Sequence, residues 1–393
     1  VSIEEEDIAS IIYTSGTTGF SKGVVLTHKN LVWDARQCHT IQPVDETYRF
    51  LSILPMAHTY ENTLGLLLPL MYGAQVYYLD RVPTPKLLVP AMQKIRPTVV
   101  LSVPLIIEKI YKSQVLPKFT GSKWMSKLYQ FAPARKLFNR LAGKKLMETF
   151  GGELKFFGIG GSKLDGTVEQ FLREAKFPYA IGYGLTETAP MAAGSNPSQT
   201  FLQGVGPVME GVQIKINDPD NSGQGEIWIK GPNVMKGYYK RPELTAETFT
   251  EDGWFKTGDL GSFDKKNRLA IRGRIKTMIL GASGENIYPE EIESIINNFR
   301  FVNESLVVEN SGKLVAMVHF NMEELEKQYQ RLKDQAGNYK EKINDYIEEQ
   351  KQELRDYVNA RVNNFSKLQL VLVQHEPFEK TPTHKIKRFL YCK

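Results

Sequence analysis

The first regular pattern along the chain is apolar and β-branched. Ile8-Ala9-Ser10-Ile11-Ile12-Tyr13 predicts a buried strand, followed by a Gly/Ser/Thr loop and a short apolar strand at 24–26. Thr27 stands where an N-cap belongs, ahead of a helix running through Leu31 and Ala35. Further apolar runs predict strands at 49–53, 75–79, 99–103 and 155–159, with helical spacing between them, which is the signature of an α/β sheet. From 204 to 274 the runs shorten and are separated by turns such as Asp218-Pro219-Asp220-Asn221 and Asp252-Gly253, predicting a small β-rich subdomain. Beyond 276 the pattern predicts a helix at 290–297 and a hairpin of 306–309 with 313–320. The charged stretch 322–362 carries apolar residues at Met322, Leu325, Tyr329 and Leu332, then at Ile343, Ile347, Leu354 and Val358. That is helical spacing, broken at Gly337-Asn338, so two amphipathic helices are expected, packed on the small domain or forming a coiled-coil partner site. The division is therefore an α/β part (1–203), a β-rich subdomain (204–275) and an α+β C-terminal domain (276–393).

Composition narrows this picture little. A chain of 393 residues, 41% hydrophobic and 24% charged, is ordinary for a globular protein of two or three domains. Its net charge of +6 suits anionic ligands and makes no demand for nucleic acid. Two distant cysteines, Cys38 and Cys392, build neither a disulfide framework nor a zinc ribbon, so a reducing, cytoplasmic setting is expected. The apolar stretch 64–79 is interrupted by Pro69, Gly73 and Gln75 and reads as buried core rather than a membrane span.

The strongest chemical signal is Tyr13-Thr14-Ser15-Gly16-Thr17-Thr18-Gly19-Phe20-Ser21-Lys22-Gly23. Glycines let main-chain amides approach an anion, and the hydroxyls and Lys22 add donors for phosphate oxygens. Lys22 is followed by Gly23 rather than Ser or Thr, so this is not a Walker A loop. Gly158-Ile159-Gly160-Gly161-Ser162 is a second glycine-rich strand end. In Gly182-Tyr183-Gly184-Leu185-Thr186-Glu187-Thr188, Tyr183 offers a ring to stack on a purine, Thr186 a hydroxyl and Glu187 a hard oxygen ligand for Mg²⁺. Asp259, in Gly253-Trp254-Phe255-Lys256-Thr257-Gly258-Asp259, reads by itself as an ordinary turn aspartate.

The phosphate-loop run, with the later segments in the same order, resembles the adenylate-forming superfamily of acyl-CoA synthetases, luciferases and peptide-synthetase adenylation domains. The resemblance extends from Thr14 to Lys385. It implies that Thr14, Ser15, Gly16, Thr17, Thr18, Gly19 and Lys22 bind phosphate, that Gly160, Gly161 and Ser162 lie on the adenine side, and that Asp259 holds the ribose with Arg274. It implies ATP and Mg²⁺ as cofactors, with Glu187 on the metal and Lys385 as the catalytic lysine. His384 replaces a glycine that many members carry there, and Lys387 is the competing candidate. It also implies a mobile C-terminal lid hinged at Lys276, which presents 281–286 to coenzyme A in a second step. Members usually carry another segment, on the order of 150 residues, before the phosphate loop, so the chain reads as the catalytic majority of a longer protein.

Two segments resemble the long-chain branch. In Leu54-Pro55-Met56-Ala57-His58-Thr59-Tyr60-Glu61, His58 matches a histidine near the acyl site; 102–111 matches a tunnel-lining segment, with ordinary core as the alternative. The expected reaction is ATP-dependent activation of a long-chain fatty acid, then thioester formation with coenzyme A. Transfer of another acid to a carrier-protein thiol, or a non-catalytic nucleotide-binding scaffold, are the alternatives. Finally, 109–145 holds ten Lys or Arg residues interleaved with Trp124, Met125, Leu128, Tyr129, Phe131, Leu137 and Phe138. Such a segment can rest on an anionic membrane as a peripheral contact, or stand as a solvated helical hairpin.

Overall fold

The computed structural model describes residues 2–15, 21–81, 83–120, 123–281, 285–332, 339–381 and 386–392. The chain divides into two units, Val1–Thr14 with Ser21–Ile271, and Ser15–Phe20 with Arg272–Lys393.

In the first unit, β1 (Ile8–Ser15) and β2 (Ser21–Thr27) share a three-stranded sheet with the short strand Gly237–Tyr238. β2 is central and buries Val24 and Leu26. β1 is not the buried strand its composition suggests. It lies at the sheet edge, paired on one side, and leaves Ile8 and Tyr13 52% and 65% exposed. The helix His28–Ile41 follows β2 directly. Thr27 accepts from the Asn30 amide while the Asn30 side chain accepts from the Thr27 amide, a reciprocal cap legible in the sequence Thr-x-x-Asn.

The main sheet contains β3 (Arg49–Ser52), β4 (Gln75–Tyr78), β5 (Val99–Ser102), β6 (Phe156–Ile159), β7 (Tyr179–Tyr183) and β8 (Ala193–Gly194), in the order β4-β3-β5-β6-β7-β8. The four pairings from β4 to β7 run parallel, and β8 closes the edge antiparallel. Both faces are covered, which explains why strands such as Val99-Val100-Leu101 are continuously apolar rather than alternating. Phe50, Val99 and Leu101 enter one core with Leu31, Ala35 and Leu64. Leu51, Val100 and Phe157 enter another with Met92, Ile107 and Phe171.

The β-rich part is a four-stranded sheet of β9 (Gln213–Asn217), β10 (Gly225–Lys230), β12 (Phe255–Phe263) and β13 (Leu269–Arg274), ordered β13-β12-β10-β9, with Gly237–Tyr238 as β11. The Asp218–Asn221 turn joins β9 to β10, and its Asp220 carboxylate accepts from the Ser222 and Gln224 amides.

In the second unit, an antiparallel hairpin of Val302–Asn310 with Lys313–Phe320 takes Leu370–Val373 as a parallel third strand. Helices Pro289–Asn297, Met322–Leu332 and Tyr339–Asn359 surround it. Leu325, Tyr329, Leu354 and Val358 are buried in one core with Ile292, Val307 and Val318. The apolar stripes of the charged stretch therefore pack on their own domain rather than offering a coiled-coil seam; the break at Gly337-Asn338 lies outside the described residues.

Candidate active site

Parallel α/β sheets bind ligands at the carboxyl ends of their strands, where loops converge and helices begin. Three candidate segments leave the main sheet at those ends: the His58 segment follows β3, the glycine loop Gly160-Gly161-Ser162 follows β6, and Gly184 to Glu187 follow β7. The topology, not sequence proximity, brings them together.

Thr186–Thr188 form one tight turn, and Ala189 lies at φ 63° behind it. Thr188 is fully buried and accepts from the Leu185 amide at 2.9 Å while donating to the Pro190 carbonyl at 2.8 Å. The chain folds back so closely that a Cβ on Gly184 would sit 1.7 Å from the Pro190 oxygen. Glycine is required there. The turn presents Glu187, whose Oε1 accepts from the Tyr238 hydroxyl at 2.8 Å. The Lys22 ammonium lies 4.9 Å from the centre of the Tyr238 ring. Tyr238 thus joins the lysine of the phosphate-loop segment to the carboxylate of the second motif.

The Tyr183 hydroxyl donates to Asp259 Oδ2 at 2.9 Å, and both residues are buried. Asp259 follows Gly258, at φ 71°, whose amide donates to Glu226 Oε1 at 3.0 Å. The purine-facing tyrosine and the diol-binding aspartate expected from the sequence are therefore direct partners.

Glu187 also bears on a divalent metal. Among the described residues no group of three or more His, Cys, Asp or Glu side chains is arranged to hold a metal ion. Glu187 Oε2 takes no hydrogen bond among them, so this carboxylate fits a Mg²⁺ whose other ligands are phosphate oxygens and water.

A buried polar brace supports this turn, and little in the sequence hints at it. Asn30 Nδ2 donates to the carbonyls of Pro232 and Val234 at 2.7 and 2.9 Å. Asn233 Nδ2 donates to the carbonyls of Thr188 and Met191. Asp34 Oδ1 accepts from the Met191 amide at 3.2 Å, and burial holds its carboxyl well above the usual range. Asn30 completes the cap at Thr27, but its second task, some two hundred residues away, leaves no local trace. Tyr238 was missed for the same reason; its signal was a tyrosine pair after Gly237, which lies at φ 147°.

His58 Nδ1 accepts from the Tyr60 amide at 3.2 Å, so in the neutral ring Nε2 carries the proton. The Tyr60 ring packs on the glycine loop: a Cβ at Gly158 would lie 2.6 Å from its hydroxyl. Glu61 opens a wide helical turn, Glu61–Leu67, and is buried; burial pushes its carboxyl up to about 7, opposed by a hydrogen bond from Ser52. Gly65 leaves it room, since a Cβ there would sit 2.6 Å from Glu61 Oε1.

An apolar pocket opens beside these segments. Gly158, Ile159, Gly182 and Met191 border it near the motifs, and Cys38, Ile41, Phe50, Leu64, Leu68 and Leu101 line its apolar depth. The segment 102–111, expected to line a tunnel, does not line this pocket. Its Ile107 and Tyr111 are buried with Val100 and Phe157 in the other core, because β5 runs into helical chain from Pro104 whose apolar side packs there.

Other candidates lie elsewhere. Thr14 is half-buried near the end of β1, and Ser162 is exposed. Gly16, Thr17, Thr18, Gly19 and Lys385 fall outside the described residues, as does the Ser15 side chain. Arg274 and Lys276 belong to the second unit, where the Arg274 carbonyl accepts from the amides of Thr277 and Met278 and Lys276 is exposed. Lys387 pairs with Glu379 at 3.2 Å.

The family of AMP-binding enzymes matches residues 1–239, and the chain belongs to that family. Among its relatives is long-chain-fatty-acid–CoA ligase 1 of Saccharomyces cerevisiae, 32% identical over 337 residues, covering 79% of this chain and 47% of the relative. Another is the chloroplastic long-chain-fatty-acid–[acyl-carrier-protein] ligase AEE15 of Arabidopsis thaliana, 29% identical over 455 residues, covering 98% and 60%. ATP-bound MatB from Rhodopseudomonas palustris shares the fold, with a TM-score of 0.74 at 24% identity over 99% of this chain and 68% of that one. The chain spans about half the length of the curated relatives it matches. No described helix is long and apolar enough to cross a membrane.

Proposed function

We propose that the protein activates a long-chain fatty acid with ATP, forming an acyl-adenylate, and transfers the acyl group to coenzyme A. The observation that carries this reading is the Lys22–Tyr238–Glu187 cluster together with an apolar pocket bordered by Gly182 and Met191, which flank Glu187 in the chain. Such a pair of sites suits a substrate with one polyanionic and one hydrocarbon end.

Carboxylate and triphosphate repel each other, so the protein must align them and offset the charge that develops at the α-phosphorus. Lys22 supplies positive charge on the phosphate side, and Lys385 is assigned the same task by its place in the family pattern. Tyr238 holds the Glu187 carboxylate in a fixed orientation, and Mg²⁺, when bound, neutralises phosphate charge. Asp259, oriented by Tyr183, accepts from the ribose hydroxyls, and Arg274 is assigned to the same nucleotide by its place in the family pattern. The acyl chain lies along Gly182, Met191 and Leu64, out of water. His58, whose Nδ1 accepts from the Tyr60 amide, is assigned to the carboxylate end by its place in the family pattern. Pyrophosphate leaves, and movement about Lys276 then exposes the adenylate to the thiol.

The test is acid-dependent pyrophosphate release across a series of acids, followed by thiol transfer. Release that is greatest with long-chain acids and product formation with coenzyme A are expected. ATP binding without acid-dependent release would leave a nucleotide-binding scaffold instead. A second acceptor has a specific observation behind it: a relative covering 98% of this chain is named as an acyl-carrier-protein ligase. Transfer to a carrier-protein thiol in place of coenzyme A would select that reading.

A further inference from the structure

The most uneven charge in the chain lies outside the site. Residues 109–147 contain ten Lys or Arg and no Asp or Glu, against a net charge of +6 for the whole protein, so the remainder carries −4 (6 − 10). The segment folds into helices ending in a pair, Lys123–Gln130 and Ala132–Thr149.

The inner side of this pair is fixed. Arg135 forks onto Glu174, Asn139 donates to the same carboxylate at 2.7 Å, and the Tyr129 hydroxyl donates to Asn139. Phe119 stacks on Tyr129 and Phe138. Helical periodicity then forces the other face outward. Two adjacent rows at i, i+4 spacing run along it, Lys136–Arg140–Lys144 and Leu137–Leu141–Lys145, all exposed. None of these four cations forms an ion pair among the described residues. Leu137 and Leu141 are 58% and 57% exposed, and Trp124 and Phe131, at 69% and 63%, extend the apolar content.

We propose that this helical pair docks on an anionic lipid surface. The cations supply attraction to headgroups, and the leucines, Trp124 and Phe131 insert at the headgroup–acyl boundary. A polyanion such as RNA would use the cations and leave four large apolar side chains in water. A bilayer satisfies both kinds of residue on one face. Docking is a property of the surface and stands independently of the ligase reading.

The experiment is flotation of the protein with phosphatidylcholine vesicles, with and without phosphatidylserine, over a salt series and without ATP, acid or coenzyme A. Binding is expected to require phosphatidylserine and to weaken as salt rises. Each cation near the surface contributes roughly a fivefold factor in partition, so the variant K136Q/R140Q/K144Q/K145Q is expected to lose on the order of a hundredfold or more. L137S/L141S is expected to weaken binding while keeping its salt dependence. Circular dichroism and unfolding temperature verify that each variant folds; the parent's lipid and salt dependence test the idea without them. Equal binding to neutral and anionic vesicles overturns the proposal. So does capture of soluble RNA with no vesicle binding, or self-association abolished by L137S/L141S with no vesicle binding.

Discussion

Glu61→Gln tests the electrostatics of the buried helical turn. Glu61 is 1% exposed, and burial raises its carboxyl from an ordinary 4.5 to about 7. In the unfolded chain the carboxyl is solvated and returns to the ordinary value. Below 4.5 both states hold the proton and the stabilising contribution is complete. Between 4.5 and 7 the folded protein keeps a proton that the unfolded chain releases, so stability falls as pH rises through that window. The span corresponds to about 3 kcal/mol, lost in full above 7. Glutamine cannot titrate. Its amide, placed where Glu61 Oε2 already lacks a partner, starts the variant about 1–3 kcal/mol below the parent in acid. The stability difference, variant minus parent, is then expected to climb by about 3 kcal/mol by about pH 8. All four tryptophans, Trp33, Trp124, Trp228 and Trp254, lie in the first unit, so urea unfolding followed by tryptophan fluorescence reports that unit. Subtracting the two proteins at each pH cancels every other titrating group. A difference that stays flat from acid to pH 8 refutes the assignment of a neutral buried carboxyl.

Tyr238→Phe removes one hydrogen bond to a carboxylate, worth about 1.5–3 kcal/mol, so pyrophosphate release is expected to fall about 10–100-fold at a nearly unchanged unfolding temperature. An unchanged rate would count against a role in orienting Glu187. Gly184→Ala drives a methyl into the Pro190 carbonyl and is expected to cost at least about 1–3 kcal/mol, read from thermal unfolding; a stable variant would show that the turn can open. Lys385→Ala is expected to abolish adenylation yet spare thioester formation from preformed acyl-adenylate, and Lys276→Pro to do the reverse. Equal loss of both half-reactions in either variant removes its assigned role. Leu64→Trp fills the pocket and is expected to shift preference toward shorter acids; an unaltered chain-length profile would mean that the acid binds elsewhere.

Much of the fold was legible because its signals are local. Strands at the four apolar runs, the Thr27–Asn30 cap, the turns of the β-rich part and the amphipathic stripes of 322–362 each depend on neighbours a few residues apart. The edge position of β1 was not legible, since apolar composition says that a strand forms but not how many partners it finds. Which apolar segment borders the pocket was not legible for a related reason. Apolar side chains at 102–111 and at 31–68 look alike in sequence, and only the sheet's two faces decide which of them borders a cavity.

The glycine- and hydroxyl-rich run 13–23 was conspicuous from the start, as was the glycine-flanked Tyr183–Glu187 segment, because hydroxyls, glycines and a carboxylate at fixed offsets mark themselves in the chain; Asp259 stood out only through the family resemblance. By itself the sequence determined which groups are present and the strands and helices that carry them. The tertiary structure decided their company. Tyr238 bridges Lys22 and Glu187, Tyr183 holds Asp259, and Asn30, Asp34 and Asn233 brace the turn between them. Those contacts form between segments up to about two hundred residues apart, brought together by parallel strand order and burial, and hydrogen bonding over such separations leaves no periodic mark in a sequence.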